Sequence, residues 1–315
     1  MIPIEEIEKA KRAIDGVALR TPLVRLDAPE IDAEIYLKLE NLQPIGSFKI
    51  RGATNAVRQT PPQELAEGVL TASAGNMAQG LAFAAREAGV PCTALVPEHA
   101  PQTKLEAIER LGARTVKVPH DDWWRALTES RIDGVEGRFV HPVADELVMA
   151  GNGTIGLEIL EDLPEPDVVL IPFGGGGLTV GVASALRARS PRTRVCPVEP
   201  ETAAPLATSL AAGSPQEVEY RASFVDGAGA QTVLPEMWPR VTELVNRSLT
   251  ASLDETAYAV RRLVQRARVV AEGAGALGVA AALAGHARGR TVVCVVSGGN
   301  IDVSTLGLIL AGETP

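Results

Sequence analysis

The sequence predicts an α/β protein: open, mostly parallel sheets flanked by helices. Two observations predict it. Short apolar runs at 93–96, 115–118, 168–171, 195–198 and 292–296 are in several cases nearly continuous, the pattern of strands covered on both faces. Between them lie stretches with apolar residues at helical spacing, and strand followed by helix, repeated, means right-handed crossovers in an open parallel sheet.

In chain order, Ile35-Tyr36-Leu37-Lys38-Leu39 reads as a strand, and the polar turn Glu40-Asn41-Leu42-Gln43-Pro44 ends it. Helical spacing covers 76–88 and 101–111 on either side of the strand at 93–96, and the strand at 115–118 follows. Helical patterns at 153–160 and 178–189 flank the strand at 168–171, and the strand at 195–198 comes next. The segment 213–239 is richest in Gly, Pro and polar residues and least periodic, so it reads as a long functional loop or a covering segment. A helix at 254–269 precedes the last strand, 292–296. The chain stops soon after that strand, which predicts no appended regulatory domain.

Length and composition limit the function. At 315 residues, 46% hydrophobic and 22% charged, the chain is an ordinary globular one with one large or two medium domains. A net charge of -9 speaks against nucleic acid or an anionic membrane as the main partner. No stretch approaches the roughly 20 apolar residues of a membrane span. The acidic N-terminus, Met1-Ile2-Pro3-Ile4-Glu5-Glu6, is unlike a signal peptide. Cys92, Cys196 and Cys294 are odd in number and lack paired ligand spacing, which reads as reduced core residues of a cytoplasmic protein. The four histidines form no zinc pattern.

The chemistry concentrates in Gly46-Ser47-Phe48-Lys49-Ile50-Arg51-Gly52. A lysine whose ammonium is desolvated has a lowered pKa and becomes a nucleophile able to form a Schiff base. By itself Lys49 also reads as a solvated surface lysine beside a turn. After the strand at 168–171 come Gly174, Gly175, Gly176 and Gly177, and Leu178 opens a helix. Consecutive glycines expose backbone N–H groups at the positive end of a helix dipole, which makes a phosphate cradle. A tight turn needs only one or two glycines. A dinucleotide fold competes: Glu199 stands where a ribose-binding acid belongs, but the third glycine of GxGxxG is missing at Thr179 and Val180. A P-loop fails, since no Lys-Ser/Thr pair follows the glycines. Ser73-Ala74-Gly75-Asn76-Met77-Ala78-Gln79-Gly80 opens another helix and offers N–H groups to an anion such as a carboxylate, and Glu272-Gly273-Ala274-Gly275-Ala276 and Ser297-Gly298-Gly299-Asn300 complete the set.

In this order and spacing the chain, from about Thr21 to about Asp302, resembles the fold-type II pyridoxal-phosphate enzymes of the threonine/serine dehydratase and serine racemase group. The resemblance implies a two-domain, tryptophan-synthase-β-like fold. Residues 1–64 and 147–315 would form the large cofactor-binding domain, and 65–146 a small domain closing over substrate. It implies that Lys49 carries pyridoxal 5'-phosphate as a Schiff base and takes the α-proton. Phe48 would pack against the ring and Asn76 would bond the ring hydroxyl. Gly174 to Leu178 would bind the phosphate, with Glu272 among the cofactor contacts and Ser297 facing the pyridine nitrogen. Ser73, Ala74, Gly75, Asn76 and Met77 would receive the substrate carboxylate. A homodimer is common in the family.

Three departures qualify the transfer. Racemases of eukaryotic type carry a hydroxyl where this chain has Ala74, and alanine cannot deliver a proton. Elimination from an L-β-hydroxy-α-amino acid is therefore expected, with little racemisation. Met77 replaces the usual histidine, which either makes the side-chain pocket more apolar or simply packs under the helix. The family's magnesium or calcium site would begin at Glu199 and the Ala203 carbonyl, but Pro205 stands where a further acid belongs, so the site is incomplete. Racemisation, 3-hydroxyaspartate dehydration and β-replacement share the cofactor. A catalytically silent binding protein and a nucleotide-dependent dehydrogenase are the readings from other classes.

Overall fold

The computed structural model describes residues 1–131 and 134–315. Helix α1 (Ile4–Ala13) and the antiparallel pair β1 (Leu23–Arg25) and β2 (Glu34–Leu39) open the chain, and one turn of 3-10 helix at Glu40–Leu42 leads to α2 (Lys49–Gln59). Strand and helix then alternate: β3 (Val69–Ala72), α3 (Asn76–Ala88), β4 (Cys92–Pro97), α4 (Gln102–Arg110), β5 (Arg114–Val118), α5 (His120–Glu129) and β6 (Arg138–Phe139). The long helix α6 (Glu146–Asp162) runs into β7 (Val168–Pro172), α7 (Gly177–Arg189), β8 (Arg194–Pro200) and α8 (Pro205–Ala212). The last elements are α9 (Trp238–Thr242), β9 (Leu249–Ala251), α10 (Leu253–Arg262), α11 (Gly273–Leu283), β10 (Thr291–Val296) and α12 (Val303–Leu310).

Two sheets result. The larger has the order β1-β2-β10-β7-β8-β9 and the smaller β5-β4-β3-β6. Every pairing except β1–β2 is parallel. The last strand is inserted between the second and the seventh, with Val293 opposite both Tyr36 and Val169. That insertion gathers the ends of β2, β7 and β10 on one carboxyl edge, where parallel sheets place their ligands. Helix α2 packs on α3 and on α6, and α6 packs on α7, so α2 joins the layers belonging to the two sheets.

The predicted strands match observed ones to within two residues at either end; most are buried apolar runs, whereas β5 has no fully buried residue and alternates polar with apolar positions. The helix expected at 153–160 starts earlier, at Glu146, since the Asp145 carboxylate accepts from the Leu147 and Val148 N–H groups (2.9 and 3.2 Å) and caps it. Helix α6 is buried nearly all round between α2 and α7, so it has no polar stripe to reveal its full length. The helix expected at 254–269 stops at Arg262 and continues as a π turn over Leu263–Ala267, closed by Arg268 in the left-handed conformation (φ 61°). The segment 213–237 contains no helix or strand, yet it buries Val225, Ala228, Val233 and Leu234, so it covers the core.

Candidate active site

Lys49 is the first residue of α2, at the point where the loop after β2 turns into helix. The Phe48 N–H donates to the Ser297 carbonyl (3.0 Å), and Ser47 bridges to Gly298, so the loop is stitched to the residues that follow β10. The Lys49 amine donates to the Pro142 carbonyl (2.9 Å) and lies 5.2 Å from the centre of the Phe48 ring. Desolvation by its surroundings pushes its pKa down to about 8.

A cavity of about 470 Å³ lies beside this amine, between the carboxyl edges of the two sheets. From the small-sheet side, Ser73, Ala74, Gly75, Asn76 and Met77 line it, at the junction of β3 and α3. From the large sheet come Gly174, Gly175, Gly176, Gly177 and Leu178 between β7 and α7, Glu272 before α11, and Ser297 after β10. Residues nearly 250 positions apart thus face one space, as the motif order implied. Met77 borders the cavity and is buried in the same apolar cluster as Ala53, Ala56 and Val57 of α2.

The glycine turn is built by packing as well as by ligand geometry. Gly176 has φ +94°, a conformation that disfavours side chains, and a Cβ on Gly175 would stand 2.5 Å from the Val143 side chain. The N–H groups of Gly174, Gly175 and Gly176 have no protein acceptor among the described residues. Glu272 accepts from the Asn76 amide (2.9 and 3.2 Å), and the Asn76 carbonyl oxygen accepts from Asn300 (2.7 Å). Burial pushes the Glu272 carboxyl up to about 7 in spite of the Asn76 donor.

Sequence reasoning missed Pro142, Val143, Lys104 and Asp226, which also border the cavity. Lys104 and Asp226 form an ion pair across its mouth. No motif announces these residues: Pro142 and Val143 follow the two-residue strand β6, Lys104 lies in the first turn of α4, and Asp226 lies in the aperiodic segment 213–237. Glu199 and Ala203 lie elsewhere. Both Glu199 oxygens are taken, by the N–H groups of Leu206 and Ala207 at the start of α8 (2.7 and 2.8 Å) and by the Ser248 hydroxyl (2.7 Å). That carboxylate caps a helix, and no cluster of three or more His, Cys, Asp or Glu able to hold a metal occurs among the described residues.

The donor set fits pyridoxal phosphate. A desolvated amine and a turn of unpartnered N–H groups at a helix N-terminus, which suits a phosphate, line the same cavity. The Phe48 ring borders it too. The comparisons agree. A family model described as pyridoxal-phosphate dependent enzyme matches residues 14–298. The L-threonine ammonia-lyase of Thermotoga maritima is 41% identical, over 98% of this chain and 78% of its own. The serine racemase of Dictyostelium discoideum superposes with a TM-score of 0.88 at 32% identity, over 96% of this chain and 99% of that one. Threonine deaminase isoform 2 of Solanum lycopersicum gives 0.87 at 31%, over 99% and 95%. The chain belongs to the pyridoxal-phosphate dependent enzymes of fold type II.

Proposed function

We propose that the protein is an ammonia-lyase that converts an L-β-hydroxy-α-amino acid, L-threonine or L-serine, to a 2-oxo acid and ammonia. Ala74 carries the choice of elimination. It offers a methyl group at the cavity wall where interconversion of the two α-carbon faces needs a second proton donor. The 41% identity to an L-threonine ammonia-lyase supports the same choice. The fold match to a serine racemase favours racemisation as the second reading, and Ala74 weighs against it.

Bound pyridoxal phosphate supplies an electron sink that acidifies the substrate α-carbon. Lys49 would hold the cofactor and, released by the substrate amine, take the α-proton on Nζ. A pKa of about 8 leaves roughly a tenth of the free amine neutral at pH 7, the form able to accept that proton. The proton that Lys49 takes from the α-carbon would be matched by one delivered to the β-oxygen, which would leave as water with the C–O bond pair. The enamine that departs is hydrolysed to the 2-oxo acid and ammonia. The N–H groups from Gly174 to Leu178 would hold the phosphate, and those from Ser73 to Met77 the substrate carboxylate. Ser297 would lie at the ring nitrogen, where a hydroxyl, unlike a carboxylate, leaves that nitrogen unprotonated and favours rapid loss of the β-leaving group.

Residues 65–146 would act as the smaller domain and close over substrate. Their separate sheet and the Lys104–Asp226 pair across the mouth support this. A homodimer is supported by the exposed apolar side chains Val303, Leu308 and Leu310 on α12. A cytoplasmic site of action is supported by three unpaired cysteines, and no helix among the described residues is long and apolar enough to cross a membrane.

The test is 2-oxo acid release from L- and D-β-hydroxy amino acids by the cofactor-loaded protein, with Lys49→Ala as control. Release from an L-substrate, lost in the control, is expected. Fast racemisation without release would overturn the proposal.

A further inference from the structure

Two residues beyond Lys49, Arg51 is completely buried and faces away from the cavity. Its guanidinium grips two carboxylates at once. Nε and Nη2 donate to Glu40 (2.7 and 2.8 Å), and Nη1 and Nη2 donate to Glu158 (2.6 and 2.8 Å). Thr154 Oγ1 accepts from the remaining Nη1–H (3.1 Å), and the Leu19 carbonyl shares Nη2 with the two carboxylates (3.0 Å). Lys38, also fully buried, donates to Glu158 (2.5 Å) and to the Thr21 carbonyl (2.6 Å).

Two cations and two carboxylates, balanced in charge, therefore sit in the interior away from the chemistry. Buried ion pairs of this kind seldom stabilise a fold more than apolar residues of the same volume. What a planar fork held by two carboxylates does supply is orientation. Its partners stand on separate elements, Glu40 on the turn after β2 and Glu158 and Thr154 on α6, and Lys38 of β2 holds Glu158 from another side. Successive helical residues are about 100° apart, so Arg51 and Lys49 project from nearly opposite sides of α2. Gripping the first fixes the rotation that presents the second. The acceptor of the Lys49 amine, the Pro142 carbonyl, lies just before α6, the helix that Glu158 ties to Arg51. The amine and its acceptor thus share one reference point.

We propose that Arg51, held between Glu40 and Glu158, is a positioning residue that sets the rotation of α2 and with it the reach and desolvation of the Lys49 amine. This rests on Lys49 as the reacting amine. Borohydride reduction of the loaded wild-type protein, followed by peptide mass spectrometry, tests that reading separately: the cofactor must be fixed to Lys49, and capture elsewhere would remove the premise.

The proposal itself is tested by the pH dependence of Lys49 acetylation in the cofactor-free full chain, compared across wild type, Arg51→Lys and Thr154→Ala. Arg51→Lys keeps the charge and loses the fork. It is expected to move the Lys49 midpoint from about 8 toward 10.5 and to lower kcat about tenfold to a hundredfold with little change in KM. Thr154→Ala removes one contact to Arg51, and a smaller shift in the same direction is expected. If Arg51→Lys does not fold, Thr154→Ala decides alone. A folded variant that melts lower but keeps the wild-type midpoint and kcat would overturn the proposal and leave the quartet a purely structural network.

Discussion

At the scale of single residues, the cavity holds two groups whose protonation burial has displaced in opposite directions. Lys49 is pushed down to about 8 and Glu272 up to about 7, so both titrate close to neutrality. For Glu272 the folded value lies above the ordinary 4.5, so the folded chain holds an extra proton between pH 4.5 and about 7. Its contribution to stability is full below pH 4.5 and is lost as pH rises through 7. In the cofactor-free protein, Glu272→Gln is expected to flatten the fall in melting temperature across that window. An unchanged slope would mean that another group titrates there. In the proposed elimination Ala74 would decide the stereochemical outcome in the opposite manner, by lacking a proton. Ala74→Ser places a hydroxyl on the cavity wall and is expected to give measurable interconversion of L- and D-serine. A wild type that already racemises serine at the variant's rate would remove the role assigned to the methyl group. Lys49 was legible from its neighbours in sequence. The work of Arg51 was not, because a lone arginine in a motif does not disclose two carboxylates, at positions 40 and 158, folded against it.

Among the elements, the turn between β7 and α7 shows how far a motif reaches. Four glycines read as an anion cradle, and the N–H groups of Gly174, Gly175 and Gly176 have no protein acceptor among the described residues. The reason for Gly175 in particular is steric, since Val143 fills the space that its Cβ would need. Gly175→Ala is expected to destabilise by about 1–3 kcal/mol, the usual cost of overpacking. Gly174→Ala serves as the control, because its Cβ would have no neighbour nearer than 3.6 Å. Thermal melts of the two variants compare them directly, and equal losses would show that the Val143 contact does not set the requirement. The N-terminal part of helix α6, before residue 153, and the three-residue strands β1 and β9 escaped the sequence for a related reason. A helix buried on all sides has no amphipathic period, and strands so short carry too few residues to alternate.

For the molecule as a whole, insertion of β10 between β2 and β7 brings the lysine loop, the glycine turn and Ser297 to one edge. The same long-range packing commits Glu199 to capping α8. Magnesium or calcium is therefore expected to leave the melting temperature unchanged, whereas an ion bound to the native state would raise it with concentration. The sequence by itself determined the α/β class, most of the strands and the cofactor family, and it singled out the lysine and the glycine turn that line the cavity. These follow from local periodicity, from backbone groups freed by glycine, and from an order of motifs that few folds share. Only the tertiary structure decided what sits behind those motifs: the grip of Glu40 and Glu158 on Arg51, the Pro142 carbonyl at the amine, Val143 against the glycines, and the Asn76–Glu272 contact. Each joins residues distant in the chain. Burial, desolvation and close contact are properties of the packed chain, and no local pattern encodes which remote side chain will supply them.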